Sequence, residues 1–223
     1  MKRFPCVCLI LFLATPVLAA SKPHIITFGK WSSVQWQTGD EKPVPLKVRG
    51  LFVDGKLKEF TTGFPHEITD GLFAVRRAFR VNDSLPEDPA GAAKWQWQRG
   101  GWLLVDRASG RVSAMNLPEF DALYSASSWY RDYVAYCGIS DDGKKIFAVV
   151  AQISRRKPVL KKPLPGEGIA EDAAPDSACP APAWQRAPAR VTFTSGDSKQ
   201  TYAIRGHVVD IVNDNEDEAE GSQ

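Results

Sequence analysis

Residue types and motifs that commonly carry catalysis or hold metals are scarce in this chain. Its 223 residues include three histidines, four cysteines and two methionines. It has no G-x-S-x-G elbow, H-E-x-x-H pair, P-loop or dinucleotide-binding glycine pattern. We therefore expect no catalytic residue, no cofactor and no metal site. His66 stands beside Glu67, and we interpret it as an ordinary loop histidine.

Helical periodicity is also nearly absent, and short runs rich in Val, Ile, Phe, Trp and Tyr alternate with turn residues. This pattern is typical of all-β proteins. The predicted strands cover residues 25–29, 33–37, 46–53, 56–61, 72–81, 94–98, 102–106, 111–116, 133–139, 145–153, 190–195, 199–205 and 207–212. Turn pairs predict four hairpins, at Asp54-Gly55, Ser109-Gly110, Asp142-Gly143 and Gly196-Asp197. One helical turn is predicted within 120–130.

The stretch 102–152 combines a hairpin, "WLLVDRASGRVSAM", with an inner strand, the turn "SDDGK" at Ser140–Lys144 and an outgoing strand. It resembles the junction between blades of TolB and WD-repeat β-propellers, whose turn is similar to "SPDGK". The predicted strands fill about three four-stranded blades, whereas a closed ring usually has about four to eight. We therefore expect antiparallel hairpins in a partial propeller-like array, or in a sandwich or barrel.

The N-terminus has the pattern of a secretory signal peptide. Lys2 and Arg3 precede an apolar run over 7–13, and small residues precede a cleavage point after Ala19 or Ala20. The run is shorter than the roughly 18 residues of a membrane span. We expect residues 1–20 to be removed, the protein to be periplasmic or secreted, and no membrane span to remain.

The rest of the chain divides into two parts. Residues 21–212 are expected to form a single all-β domain, and the acidic tail 213–223 is expected to be disordered. Within the domain, 158–189 contains seven prolines and is predicted to be a loop. Cys137 and Cys179 are an even pair in an exported chain, which predicts a disulfide. It would close a loop worth roughly 4 kcal/mol and fasten 158–189 to the sheet.

Aromatic clusters are the candidate binding sites. Trp95 and Trp97 alternate along a predicted strand, so they share one face. That face is either core or a stacking platform for a sugar ring or peptide. A second cluster lies in "SSWYRDY" and comprises Trp129, Tyr130, Arg131, Asp132 and Tyr133. It is either a binding surface or a connection whose aromatics cover the core.

A basic run follows the last strand of the propeller-like stretch. It contains five cations, Arg155, Arg156, Lys157, Lys161 and Lys162. These residues are a solvated strand exit, a contact for an anionic envelope polymer or lipid, or a partner for the acidic tail. No nucleic-acid recognition motif accompanies them, so we expect no nucleic-acid partner.

Together these features predict an exported, non-catalytic β protein of the cell envelope that binds or scaffolds a protein or glycan. The alternative is a hydrolase of envelope or extracellular substrates that uses carboxylates such as Asp132 and Glu119. A third hypothesis is a structural subunit whose exposed strand edges need a partner chain. The sequence assigns no oligomeric state.

Overall fold

The computed structural model describes residues 22–36, 38, 43–85, 87, 93–166, 168–170, 173–205 and the backbone of 208–211. These residues form fifteen strands and no helix, which confirms the prediction of an all-β fold. None of them therefore belongs to a helix that is long and apolar enough to cross a membrane. The expected signal peptide, 1–20, and the expected acidic tail, 213–223, lie outside the described residues.

The first sheet has seven strands. They are β1 (Ile26–Phe28), β2 (Ser32–Trp36), β3 (Val44–Val53), β4 (Lys56–Thr69), β5 (Leu72–Asn82), β6 (Trp95–Asp106) and β7 (Val112–Ala114). Neighbours are antiparallel except β2 and β6, which pair in parallel at Trp36 and Trp97. Because β3 pairs with both β2 and β4, the order β3–β2–β6–β5–β4 returns to β3 and closes a ring of five strands.

Apolar side chains of this sheet form two clusters. One is built around Trp36, Leu46 and Val48. The other contains Phe73 and Val75, both almost fully buried. Burial of such a side chain stabilises the fold by about 1.5–3 kcal/mol. The closed ring of strands therefore has its own hydrophobic core.

Two further sheets follow as four-stranded antiparallel meanders in chain order. The second sheet contains β8 (Ser127–Tyr130), β9 (Tyr133–Ile139), β10 (Ile146–Gln152) and β11 (Leu160–Pro163). The third contains β12 (Ala183–Arg186), β13 (Ala189–Ser195), β14 (Ser198–Arg205) and β15 (Val208–Ile211). Only local hairpin connections join neighbouring strands within each meander.

The two central strands of the second sheet, β9 and β10, are buried on both faces. On one face, Cys137 and Val150 pack in the same cluster as Phe193 of the third sheet. On the other face, Tyr136 packs with Phe120 from the segment that leads into β8. A strand covered on both sides has no polar alternation, and this explains the almost continuous apolar run of β9 and β10.

The four predicted turns are confirmed, and several strand predictions change. Residues 94–98 and 102–106 belong to one strand, β6, which continues through Gly100 and Gly101. In place of the helical turn predicted within 120–130, the structure has one backbone hydrogen bond of helical spacing, from the Ser125 amide to the Asp121 carbonyl. Residues 127–130 form β8 instead, because they pair with β9. The propeller-like stretch crosses between sheets, with β6 and β7 in the first and β9 and β10 in the second.

The prediction that 158–189 is a loop is wrong for two parts of it. β11 and β12 lie inside this range. β11 is an edge strand that ends at Pro163, where the missing N–H is tolerated. The segment is fastened by the predicted disulfide, since the Cys137 and Cys179 sulfurs are bonded and their Cα atoms are 6.0 Å apart.

Candidate functional site

The odd-numbered side chains of β8 contact the first sheet. Ser127 Oγ accepts a hydrogen bond from Trp102 Nε1 at 3.1 Å. Trp129 meets the Trp102 ring edge to face, with centroids 5.0 Å apart, and stacks on His66 with centroids 5.1 Å apart. Residues two apart on a strand share a face, so this face of β8 joins the second sheet to the first.

The even-numbered side chains of β8 contact the third sheet and the residue before it. Ser128 Oγ donates to the Pro182 carbonyl. Tyr130 donates through its hydroxyl to the Arg186 carbonyl at 3.2 Å, and its ring centroid lies 5.4 Å from that of Trp184. β8 therefore links all three sheets, and its aromatic contacts favour the hypothesis that they cover the core.

Arg131 and Asp132 form the two-residue turn between β8 and β9. Arg131 has a φ of 54°, and its carbonyl accepts a hydrogen bond from His66 Nε2 at 2.7 Å. The Asp132 carboxylate accepts one from Gln152 Nε2 at 2.8 Å. Both residues thus have local structural partners.

The carboxylates of the hydrolase hypothesis are not brought together. Asp132 immediately precedes β9, whereas the Glu119 carbonyl binds the amide of Ile139 at the far end of that strand. The Glu119 carboxylate forms an ion pair with Lys161. At about 3.3 Å per residue, β9 separates the two positions by roughly 20 Å. Paired carboxylates of glycosidases are about 5–9.5 Å apart.

Trp95 and Trp97 lie on one face of β6, as their spacing predicts, but their environments differ. Trp97 meets Phe60 edge to face at 5.1 Å and borders a buried cluster. Trp95 is 58% exposed. The Arg80 guanidinium carbon is 5.5 Å from each indole. The core interpretation therefore suits Trp97, and the surface interpretation suits Trp95.

The sequence interpretation missed a buried cation. Arg76 lies on β5, where the pairing with β6 shifts register, and it is 7% exposed. Its Nε donates to the Gly100 carbonyl at 2.6 Å, and its Nη2 donates to the Ala122 carbonyl at 2.8 Å. Both partners are neutral. No carboxylate among the described residues forms an ion pair with Arg76.

A second guanidinium shares this environment. Arg99 donates to the Ala122 carbonyl as well, and it holds both carboxylate oxygens of Asp176, at 2.6 and 2.8 Å. Its guanidinium carbon lies 4.6 Å from the centroid of the Trp36 ring. Asp176 balances Arg99, so the charge of Arg76 is the one left without a direct counter-charge.

Electrostatics confirm that the position of Arg76 is unusual. Burial, followed by repulsion from Arg99, lowers its pKa to about 9, while Asp176 and Asp121 act in the opposite direction. The guanidinium is still charged at neutral pH. Burying an ion without a paired counter-ion costs several kcal/mol, and strongly perturbed groups of this kind cluster at functional sites.

Arg76 opens onto a cleft of about 390 Å³, which we call the Arg76 cleft. It is lined by Leu46, Thr62, Gly63, Phe64, Arg76, Arg99, Trp102, Ala126, Ser127 and Asp176. β4 shifts register between Thr62 and His66, and Gly63 has a φ of 69°, a backbone conformation that favours glycine. This irregularity carries Phe64, 81% exposed, to the rim. The volume is typical of small-ligand sites.

A sequence signal for this site exists but is weak. Arg76 and Arg77 interrupt the apolar run "LFAVRRAF" of a predicted strand. Alternation puts one of them on each face, and Arg77 pairs with Glu59 at 3.0 Å. An arginine on the inner face of a strand is unusual, so the sequence singles out this position. Asp176 lies too far along the chain for its place in the same site to be predicted from the sequence.

Across the described residues, no group of three or more His, Cys, Asp or Glu side chains could hold a metal ion. No protein-family model, curated protein or solved structure matches the chain. The chemistry of the site therefore has to be argued from its own geometry.

Proposed function

We propose that this chain is an exported, non-catalytic β protein of the cell envelope that binds an anionic ligand in the Arg76 cleft. One observation carries the proposal: a buried guanidinium lines a cleft while its hydrogen bonds go to two neutral carbonyls. The signal-like N-terminus and the bonded cysteines support export.

The remaining N–H groups of Arg76 define the ligand chemistry. A carboxylate or phosphate accepts two parallel hydrogen bonds from a guanidinium and would supply the missing counter-charge. Trp102 and Phe64 offer aromatic surface beside that position, and Ser127 offers a hydroxyl. The ligand is therefore a carboxylate or phosphate attached to a flat or apolar group. A glycan or peptide that carries such a group fits this class.

Titration calorimetry with phenyl phosphate and benzoate tests the proposal, with benzyl alcohol as the neutral analogue. We expect saturable binding of both anions that weakens with added salt, and no binding of the alcohol. Arg76→Met should abolish binding of the anions. Arg77→Met is the matched control, since it removes the adjacent arginine, which does not line the cleft, and should leave the affinity unchanged.

Arg76 is buried, so its replacement could also unfold the protein. Phe64→Ala covers that case, because Phe64 is largely exposed and its loss should leave the fold intact. We expect Phe64→Ala to weaken phenyl phosphate binding. A folded Arg76→Met variant with the affinity of the wild type would overturn the proposal, as would the absence of saturable anion binding to the wild type.

A further inference from the structure

A second cleft of about 400 Å³ lies between β7 with the residues that follow it and the connection from β10 to β11. It shares no lining residue with the Arg76 cleft. The two are therefore separate sites, and variants of their own lining residues distinguish them.

One part of the lining of this second cleft, which we call its floor, is apolar. It is formed by half-buried side chains from both walls, namely Leu104, Met115, Leu117, Ile153 and Pro158. Half-buried apolar side chains in a concave surface still expose area to water, and covering that area is favourable by about 25 cal/mol per Å².

The rim of the cleft is cationic. Arg155, Arg156 and Lys157 are consecutive, exposed and part of its lining. Within the described part of the chain, none of the three forms an ion pair, and no acidic side chain lines the cleft. Lys161 of the same basic run differs, because it pairs with Glu119. The charges at the rim are therefore available to an external anion.

We propose that this cleft binds a free, single-chain amphiphilic anion. The carboxylate or phosphate head lies among the three cations, and the apolar chain lies on the floor. The two features work together: an inorganic anion gains only exposed, weak ion pairs, and a neutral amphiphile leaves the cations without partners. A concave cleft of this size accommodates one chain, so we assign a monomeric ligand rather than a bilayer surface.

Titration calorimetry with decanoate, below its micelle concentration, tests the assignment. Acetate and octyl glucoside represent the head and the chain alone, and both should bind far more weakly than decanoate. The triple variant Arg155→Gln/Arg156→Gln/Lys157→Gln should bind decanoate about ten-fold more weakly, since it loses several exposed ion pairs that are each weak.

The matched control is Lys56→Gln/Lys58→Gln/Lys162→Gln, which removes three exposed cations outside the cleft and should preserve affinity. Ala114→Glu places a negative charge in the cleft at an exposed position and should also weaken decanoate binding. Ala114→Glu tests the proposed site even if the triple variant does not fold.

Three results would overturn the assignment. They are wild-type affinity in Ala114→Glu, equal affinity for octyl glucoside and decanoate, and binding to phosphatidylglycerol vesicles without binding to free decanoate. A folded Arg76→Met variant should bind decanoate normally. The failure of this site and the failure of the Arg76 cleft are therefore distinguishable.

Discussion

His66 stacks on Trp129 with the two ring planes tilted by only 23°, and its Nε2 donates a hydrogen bond to the Arg131 carbonyl. His66 belongs to β4 in the first sheet, whereas Trp129 belongs to β8 in the second. The contact therefore joins two sheets. The carboxylate of the neighbouring Glu67 accepts two hydrogen bonds from Arg107, so its partner is that guanidinium.

Replacing His66 by alanine should destabilise the protein. The variant loses a hydrogen bond worth about 1 kcal/mol and an aromatic contact worth about 0.5–1.5 kcal/mol. We expect the free energy of unfolding to fall by about 1.5–2.5 kcal/mol, as measured by urea denaturation.

The control for this variant is His24→Ala. His24 donates a hydrogen bond from Nδ1 to the Asp54 carboxylate at the surface, at 2.7 Å, and exposed contacts of this kind contribute little to stability. If the two alanine variants lose the same stability, the stacked contact does not hold the sheets together.

Arg131→Gly should stabilise the protein. Arg131 occupies the left-handed region, which costs a non-glycine residue about 1–2 kcal/mol. Glycine removes this cost but adds unfolded-state entropy worth about 0.5–1 kcal/mol. The net expectation is a gain of about 0.5 kcal/mol in urea denaturation. Asp132→Gly, which removes the acceptor of the Gln152 bond, should instead lower stability.

This pair of variants also tests the predicted binding role of the turn. Loss of affinity for phenyl phosphate or decanoate in a stabilised Arg131→Gly protein would show that Arg131 contacts a ligand. Unchanged affinity would leave the turn with a structural role.

Local patterns were enough to predict the four turns and most of the strands, because alternation and turn residues act over a few positions. They missed β8, β11 and β12. The contacts of "SSWYRD" could not be predicted in this way. Its aromatic and charged residues suit a binding surface equally well, and the approach of β4, β6 and β12 determines what Trp129 and Tyr130 touch. The same holds for Trp95 and Trp97, whose shared face was predictable and whose different exposure was not.

The Arg76 cleft shows a second limit. A strand prediction covered Arg76, but the meaning of the residue depends on Gly100, Ala122 and Asp176, which lie 24, 46 and 100 positions away along the chain. Contacts between residues so far apart in the sequence leave no periodic pattern from which they could be predicted. The prolines of 158–189 led to a wrong prediction of loop. β11 is an edge strand, and an edge strand tolerates a proline that a central strand would not.

Tyr136→Phe should change how stability depends on pH. Tyr136 is fully buried, and its hydroxyl donates to the Pro118 carbonyl at 2.7 Å. Burial, followed by repulsion from Glu119, raises the pKa of this phenol above its usual range. Above about pH 10 the unfolded chain loses the proton while the folded chain keeps it, so stability falls as pH rises.

The phenylalanine variant lacks this titration. At pH 8 it should be less stable than the wild type by about 1 kcal/mol, the value of the lost hydrogen bond. Between pH 8 and about 10.5 it should lose less stability than the wild type. Urea denaturation at the two pH values measures both quantities, and parallel losses in the two proteins would contradict the expected role of Tyr136.

Gly168→Ala should detach part of the proline-rich segment from the second sheet. A Cβ at this position would lie 2.1 Å from the Gly143 carbonyl oxygen and 2.5 Å from Lys144 Cα, both of them backbone atoms. The adjacent Ile169 amide donates to the same Gly143 carbonyl at 2.8 Å. The turn between β9 and β10 therefore accepts the segment only where no side chain intervenes.

Because the obstructing atoms belong to the backbone, they cannot move aside by changing a rotamer. We expect a loss of about 1–3 kcal/mol in the free energy of unfolding and faster hydrogen exchange at the Ile169 amide. Gly101→Ala is the matched control, since a Cβ there meets nothing within 4 Å. Removing a strand glycine should change stability by less than about 1 kcal/mol. Equal stability of the two variants, with Ile169 still protected, would show that the turn accepts the segment with a side chain at position 168.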